Sequence, residues 1–119
     1  MKRNFRLTRP ADFQRVRRLG KSYSHPLVVL IALPNELQKV RVGIGAGRSI
    51  GNAVKRNRAK RVLREVMRPQ LERLSPSNDL LLLARSKLLN SSQAEIEDAI
   101  KKLIKRAGLA NRKNNEHSN

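Results

Sequence analysis

The stretch of residues 51–68 constrains the fold most, because it combines an apolar stripe with a dense run of cations. On a helical wheel, with about 100° per residue, one arc roughly 100° wide holds a set of apolar residues, namely Ala59, Val62, Leu63 and Val66. The other faces carry one acid, Glu65, and many cations, namely Lys55, Arg56, Arg58, Lys60, Arg61, Arg64 and Arg68. The pattern predicts a helix with one face on a core and a nearly unbroken cationic face.

The cations of this helix are not balanced by acids. Arg56, Lys60 and Arg64 step along the far side at a spacing of four, where like charges repel in an isolated helix. A solvated helix face normally mixes both signs, so the pattern favours a polyanionic partner over a face that serves solubility alone. Asn52 suits the N-cap position, and the positive end of the helix dipole beside Lys55 predicts an anion site.

The formal net charge of +18 on 119 residues supports the same interpretation. The length fits one domain, and so large an excess of Lys and Arg favours a nucleic acid or an anionic membrane as partner. No apolar run is long enough to span a bilayer, and a moderate apolar stripe without Trp or Phe argues against a membrane-surface role. The absence of cysteine suits a reducing compartment, so we expect a cytoplasmic protein.

The residues before the basic helix predict one helix and two strands. A short helix is predicted over residues 10–19, since proline favours the first helical turn and Gly20 suits the stop. The apolar, partly β-branched run 27–33 predicts a strand. Residues 39–47 alternate apolar side chains with arginine and glycine, which predicts a second strand with a nearly bare opposite face that leaves room for a ligand or a helix. We expect the two strands to pair as an antiparallel hairpin.

The residues after the basic helix predict one more strand and one more helix. Pro69 is incompatible with a straight helix interior, so the basic helix should end or kink at residues 67–68. Residues 79–85 form a short continuous apolar run, which is typical of a strand buried on both faces. Ser92 and Glu95 match a capping box, so a helix should follow to residue 107.

Together these elements indicate an α+β fold in which one sheet is packed with helices. We expect a single domain over residues 1–110. The polar segment 111–119 has no periodicity and is expected to be a disordered tail.

The sequence lacks the side-chain clusters that protein catalysis or metal binding needs. Its one acidic cluster, formed by Glu95, Glu97 and Asp98, falls in the first turns of a helix, where the helix dipole explains it. His25 and His117 have no partner for base catalysis or metal binding. We therefore predict no catalytic residue, no metal site and no cofactor held by the protein itself.

Residues 50–65 closely resemble the signature of a known family, the protein subunit of bacterial ribonuclease P. The run Arg56-Asn57-Arg58 and the following Lys60, Arg61 and Arg64 match that signature position by position. Other landmarks agree in their order, namely Arg6-Leu7, Asp12-Phe13, Gly20, residues 41–44 and residues 79–85. The resemblance covers residues 3–107.

The resemblance implies both a fold and a function. The fold is an α-β-β-β-α-β-α sandwich whose crossover through the basic helix is left-handed, against the usual rule. The implied enzyme is a ribonucleoprotein endonuclease, a hydrolase that removes the 5′ leader from precursor tRNA. Its RNA subunit holds the catalytic Mg²⁺ ions, while the protein binds that RNA and the leader. A monomer in a 1:1 complex with the RNA is expected.

The resemblance also implies roles for individual residues. It places RNA contacts at Arg56, Asn57, Arg58, Lys60, Arg61 and Arg64, to which the charge pattern adds Asn52, Lys55 and Arg68. The leader is expected in a cleft between the first helix and the sheet, with Phe13, Arg17 and Ile31 as its residues. Arg17 stands where many members have a second aromatic residue, and Ile31 or Leu30 where many have a tyrosine on the strand; a guanidinium can still stack on a base. Phe13 suits either base stacking or core packing beside Val16.

Two other functions are compatible with parts of the sequence. A ribosomal or RNA-chaperone protein would share the size and the charge but would have no reaction of its own. A free-standing protein nuclease would need the carboxylate or histidine cluster that the sequence lacks. Restoration of precursor cleavage to ribonuclease P RNA would distinguish the family function from both.

Overall fold

The structure is a computed structural model that describes residues 5–110. Its helices and strands are α1 (Pro10–Leu19), β1 (Lys21–Ser24), β2 (Val28–Pro34), β3 (Val40–Ala46), α2 (Ala53–Met67), β4 (Asn78–Ala84) and α3 (Gln93–Arg106). The predicted α+β class and the α-β-β-β-α-β-α order are confirmed. The tail predicted over residues 111–119 lies outside the described residues.

The strands form one mixed sheet in the order β1-β2-β4-β3. β1 and β2 run antiparallel, as do β2 and β4, whereas β3 and β4 run parallel. The predicted β2–β3 hairpin is therefore wrong. Leu80, Leu81 and Leu82 of β4 are at most 1% exposed. Only a central strand is covered on both faces and paired at both edges, and β4 accordingly lies between β2 and β3. Helix α2 joins the parallel pair β3 and β4, and the left hand expected of that crossover stays a prediction.

Strand β1 was not predicted from the residues themselves, and only the family resemblance implied a third strand ahead of α2. Its sequence is polar, and Tyr23 alone among its residues is partly buried, where it packs against the larger core. Because an edge strand with one inward side chain shows no alternation, sequence periodicity cannot detect it.

Helices cover both faces of the sheet. On one face α2 and α3 pack on a large core that includes Leu63 and Ile100. On the other face α1 forms a smaller core with Val16, Ile31 and Leu81. Consecutive side chains of β4 enter the two cores in turn, which explains why its apolar run has no polar alternation.

The predicted caps of α2 and α3 and the predicted end of α2 are confirmed, while α3 ends at Arg106, one residue before its predicted end. Asn52 caps α2, where its Oδ1 accepts a hydrogen bond from the backbone N–H three residues on, at 3.0 Å. Pro69 lies in a 3₁₀ segment, Arg68–Arg73, that follows α2 directly. Ser92 and Glu95 form the capping box of α3, and the hydrogen bonds from Ser92 lower the pKa of Glu95. Glu95 thus has the structural role that its position predicted.

A buried carboxylate ties α1 to the sheet. Asp79, at the start of β4, has no exposed surface. Its Oδ2 accepts hydrogen bonds from Arg15 at 2.7 Å and from Arg41 at 2.8 Å, and its Oδ1 accepts from Arg41 at 2.9 Å and from Asn35 at 2.8 Å. Asp12 adds a second carboxylate, 3.3 Å from the Arg15 guanidinium. These five residues are termed the Asp79 cluster, and they join α1, β3, β4 and the loop before β3.

The Asp79 cluster holds its central carboxylate in the charged form. Burial by itself would raise the pKa of Asp79, but hydrogen bonds from Arg41, Arg15 and Asn35 outweigh it, and the pKa lies below its ordinary value of 3.8. Hydrogen bonds to Asp79 likewise raise the pKa values of Arg15 and Arg41. Asp79 and the two arginines of the cluster therefore stay ionised, with Asp12 as a second carboxylate beside them.

The bare face of β3 accommodates helix α1. The sequence had predicted that this glycine-rich face leaves room for a ligand or a helix, and a helix lies there. A Cβ atom on Gly43 would lie 2.8 Å from Cζ of Phe13 and 3.2 Å from the carbonyl oxygen of Leu7. The Leu7 N–H in turn donates to the carbonyl oxygen of Val42 at 2.9 Å, so the N-terminal segment runs along the outer edge of β3. Glycine at position 43 is what allows Phe13 to lie directly on the strand.

Replacing Gly43 by alanine should displace the Phe13 ring and lower the free energy of unfolding by about 1–3 kcal/mol, the usual effect of overpacking. Gly47→Ala is the matched control, because a Cβ atom there meets nothing within 4 Å and the φ angle is −80°. It should leave the stability unchanged or raise it by about 0.4–1 kcal/mol. Urea unfolding followed by circular dichroism measures both variants, and equal effects would contradict the Phe13–Gly43 contact.

Asp79→Asn should lower the free energy of unfolding by about 3 kcal/mol at neutral pH, because it leaves two arginines beside a buried neutral amide. Since the folded-state pKa of Asp79 is depressed, its stabilising contribution is present above 3.8 and is lost as the pH falls through the folded-state value. The stability gap between the native chain and the variant should therefore be constant from about pH 5 to 7 and should narrow in stronger acid. Urea unfolding at a series of pH values measures the gap, and a gap that widens in acid would refute the assignment.

Candidate nucleic-acid interface

Helix α2 presents a cationic surface to solvent. Lys55, Arg58 and Arg61 are exposed, together with Asn52 and Asn57. The opposite side of the helix is buried in the large core. The predicted cationic face therefore has a rigid support, because the packed side of the helix fixes the positions from which these side chains project.

A second row of cations borders the buried side of α2. Arg56, Lys60 and Arg64 are half-buried, so their predicted place on the far side of the helix is wrong. The reason is Met67, which is 1% exposed and joins the core, so the centre of the buried face lies closer to this row than the predicted stripe implied. Met67 lies four residues after Leu63, and this helical spacing was the sequence signal that the buried face extends toward the second row of cations.

Most cations of α2 have no carboxylate partner among the described residues. Within residues 5–110, Arg68 alone among the proposed contact residues has a carboxylate partner, with its Nη2 3.1 Å from Oε1 of Glu65. Both side chains of that pair are more than half exposed, and such pairs contribute only about 0–1 kcal/mol. Arg56 donates a long hydrogen bond of 3.4 Å to the carbonyl oxygen of Gly51. The surface is therefore available to an external anion.

A cleft of about 260 Å³ opens where α2 approaches the outer edge of β3. Its lining residues are Arg6, Leu7, Thr8, Phe13, Val42, Ile44 and Arg64. Phe13 belongs to α1 and Arg64 to α2, so one cleft brings together side chains from helices on opposite faces of the sheet. An aromatic ring beside a guanidinium suits a nucleotide, because the ring can stack on a base and the guanidinium can bind a phosphate.

The three residues proposed for the leader cleft differ in exposure. Arg17 is exposed on α1, and Phe13 is half-buried. Phe13 packs against the smaller core and also lines the cleft, so core packing is confirmed while part of its ring stays accessible to a base. Ile31 is 4% exposed and belongs to the smaller core, so it supports α1 from below and offers no surface to RNA.

Within the described span, no group of three or more His, Asp or Glu side chains is arranged to hold a metal ion. His25 has a structural contact instead, since its Nδ1 accepts a hydrogen bond from the Leu27 backbone N–H at 3.1 Å. Among residues 5–110, no helix combines the length and the apolar character that crossing a bilayer requires.

Comparison with known sequences gives a consistent family. The sequence profile of the family described as Ribonuclease P matches residues 1–108. The ribonuclease P protein component of Clostridium novyi (strain NT) is 40% identical over 113 residues, which is 93% of this chain and 100% of that protein. The corresponding protein of Herpetosiphon aurantiacus is 38% identical over 109 residues, which is 92% of this chain and 89% of that protein.

Comparison with solved structures gives the same fold. The RNase P protein of Staphylococcus aureus, determined at 2.0 Å, superposes with a TM-score of 0.80 at 29% identity, covering 90% of this chain and 98% of that chain. The RNase P protein of Thermotoga maritima superposes with a TM-score of 0.76 at 26% identity, covering 85% and 96% respectively.

Proposed function

We propose that this chain, which belongs to the ribonuclease P protein family, is the protein subunit of a ribonuclease P ribonucleoprotein. In this assembly the RNA subunit cleaves the 5′ leader from precursor tRNA, and the protein assists by binding the RNA subunit and the leader. The observation that carries the proposal is the cationic surface of α2, because Asn57 and Arg58 of the family signature are exposed on a rigid, packed helix, with Arg56 at the border of its buried side.

The α2 surface acts through contacts with phosphates. A guanidinium presents a planar fork of donors that matches phosphate oxygens, which suits Arg58 and Arg61 at their exposed positions. Neutralising phosphates releases counterions, and this release drives association. In the proposed assembly the same cations also lower the repulsion between the RNA subunit and its substrate, because both are polyanions.

The leader of the precursor lies, on this proposal, in the cleft at the outer edge of β3, between α1 on one face of the sheet and α2 on the other. In this proposal Phe13 stacks on a base and Arg64 binds a phosphate, which is supported by the position of both side chains in the lining of one cleft. The exposed Arg17 extends this contact along α1, since a guanidinium can stack on a base or bind a phosphate. An extended single strand held in this way presents its cleavage point to the RNA subunit.

Bond cleavage is assigned to the RNA subunit and its Mg²⁺ ions, and the protein holds no cofactor of its own in this proposal. The protein is then the non-catalytic subunit of a hydrolase. It acts in the cytoplasm as a monomer in a 1:1 complex with the RNA.

Adding the chain to ribonuclease P RNA at low Mg²⁺ should restore cleavage of precursor tRNA, because protein cations replace part of the screening that high Mg²⁺ supplies. Release of the leader from 5′-labelled precursor tRNA on a gel measures the effect. The protein without the RNA subunit, freed of contaminating nucleases, is the control and should release no leader. RNA binding without restored cleavage would favour an RNA chaperone, and cleavage by the protein alone would favour a free-standing nuclease.

Replacing Arg56, Arg58 and Arg61 together by alanine should weaken binding of the RNA subunit while the fold stays intact. Arg58 and Arg61 are exposed, Arg56 borders the buried side without belonging to either core, and alanine is a strong helix former. If each arginine contacts one phosphate, the slope of log affinity against log salt should fall in magnitude by about 2–3. Filter binding across a series of salt concentrations measures the slope.

Lys101, Lys102 and Lys105 provide the matched control, because they are exposed cations on α3. Alanine at all three removes the same formal charge, yet it should leave the slope nearly unchanged. An equal fall in both variants would show that net charge alone decides the binding. Unfolding of the α2 variant would show that the face of the helix is wrongly assigned.

A further inference from the structure

The Asp79 cluster uses two arginines inside the fold. Both oxygens of the Asp79 carboxylate accept two hydrogen bonds each, from Arg15, Arg41 and Asn35. A carboxylate that is fully buried and fully bonded fixes the groups around it, because an empty acceptor position at such a site costs free energy. Helix α1 and strand β3 are therefore held to the same point of β4.

Arg15 lies between the two residues of α1 that are proposed to face the leader. Phe13 precedes it by two positions and Arg17 follows it by two, so little more than one helical turn carries all three. Val16 is fully buried and anchors the helix on the smaller core. One apolar anchor sets the height of a helix above a sheet, and a second anchor about 100° around the axis prevents the helix from rolling. The hydrogen bond from Arg15 to Asp79 supplies the second anchor.

The position of Phe13 depends on that rotation. Its ring contacts β3 at Gly43, and Arg41 lies two residues earlier on the same face of the same strand. Arg41 thus holds β3, and Arg15 holds α1, to the one carboxylate of Asp79. The distance between the helix and the strand at Phe13 is therefore set by the cluster.

We infer that the Asp79 cluster positions α1 so that Phe13 and Arg17 face the leader, which makes Arg15 and Asp79 positioning residues for leader binding. The inference rests on the proposed function, because it concerns the leader cleft. Arg15 and Arg41 contribute nothing to phosphate binding, since Asp12 and Asp79 already neutralise them. A variant that opens the cluster should therefore alter leader recognition and leave the salt dependence of RNA binding unchanged.

Arg15→Gln is the sharpest test, because it releases α1 while Arg41 and Asn35 still bond Asp79. Glutamine also keeps the helix propensity of the position. The full chain is assembled with the RNA subunit, and affinities are measured for precursor tRNA and for tRNA without a leader. The ratio of these two affinities should fall about fivefold, the effect of losing one partly exposed charged contact. The affinity for leaderless tRNA, the affinity for the RNA subunit and the salt slope should not change.

Two further variants make the result specific. Arg15→Lys keeps a cation within reach of Asp79 and should restore most of the ratio. Lys102→Gln breaks an exposed ion pair with Asp98, whose atoms lie 3.0 Å apart, and it should leave every measured quantity unchanged. It controls for the loss of one positive charge and one ion pair.

The outcomes separate this inference from the proposed function. An unchanged ratio in Arg15→Gln would overturn the inference while the native chain still discriminates the leader. Equal losses for leaderless tRNA and for the RNA subunit would also overturn it, because they would show that the cluster only stabilises the fold. A ratio of one in the native chain would refute the leader contact itself, and the inference with it.

Discussion

The burial of strand β4 on both faces is the constraint on which the remaining structure depends. Its leucines enter two cores, so helices must cover both sides of the sheet, and both of its edges must be paired. Asp79 is the second residue of the same strand and is equally buried. A charge in that position is stable only when it is bonded, and its partners come from α1, β3 and the loop before β3. One strand thus decides both where α1 lies and what holds it there.

Local signals were sufficient for most elements of the fold, because caps, breakers and periodicity act over a few residues. Asn52 and the Ser92–Glu95 box mark helix starts by hydrogen bonds that form within one turn. Strand pairing was not predictable in this way. The nearness of β2 and β3 in sequence suggested a hairpin, but the more apolar β4 takes the central place and separates them. Polar β1 has a single inward residue, Tyr23, and shows no period at all.

In the candidate site, too, features set by local sequence were predictable and features set by tertiary packing were not. That α2 carries a cationic face was predictable, because the order of charges along a helix is set by its sequence alone, but the half-buried row of Arg56, Lys60 and Arg64 was not, since it depends on Met67 joining the core. The accessibility of Ile31 was not, since it depends on α1 lying over the strand. The Asp79 cluster left a partial signal: a carboxylate at the head of a leucine run requires a buried partner. The sequence does not show which arginines bind this carboxylate, because Arg15 and Arg41 are distant from Asp79 in sequence and reach it only through tertiary packing.

The chain uses arginine for two purposes, and the placement of its acids separates them. Asp12 and Asp79 bind Arg15 and Arg41 into the fold, while the acids at the start of α3 serve capping and an exposed pair on that helix. Among the described residues, α2 carries a single acid, Glu65, and it pairs with the cation at the very end of the helix. The middle of α2 is therefore left without a carboxylate within reach. A guanidinium already bonded in the fold must lose that bond before it can bind phosphate, whereas one on α2 exchanges only water and counterions. This difference is the reason why we propose α2 as the RNA-binding surface and the Asp79 cluster as the element that positions α1.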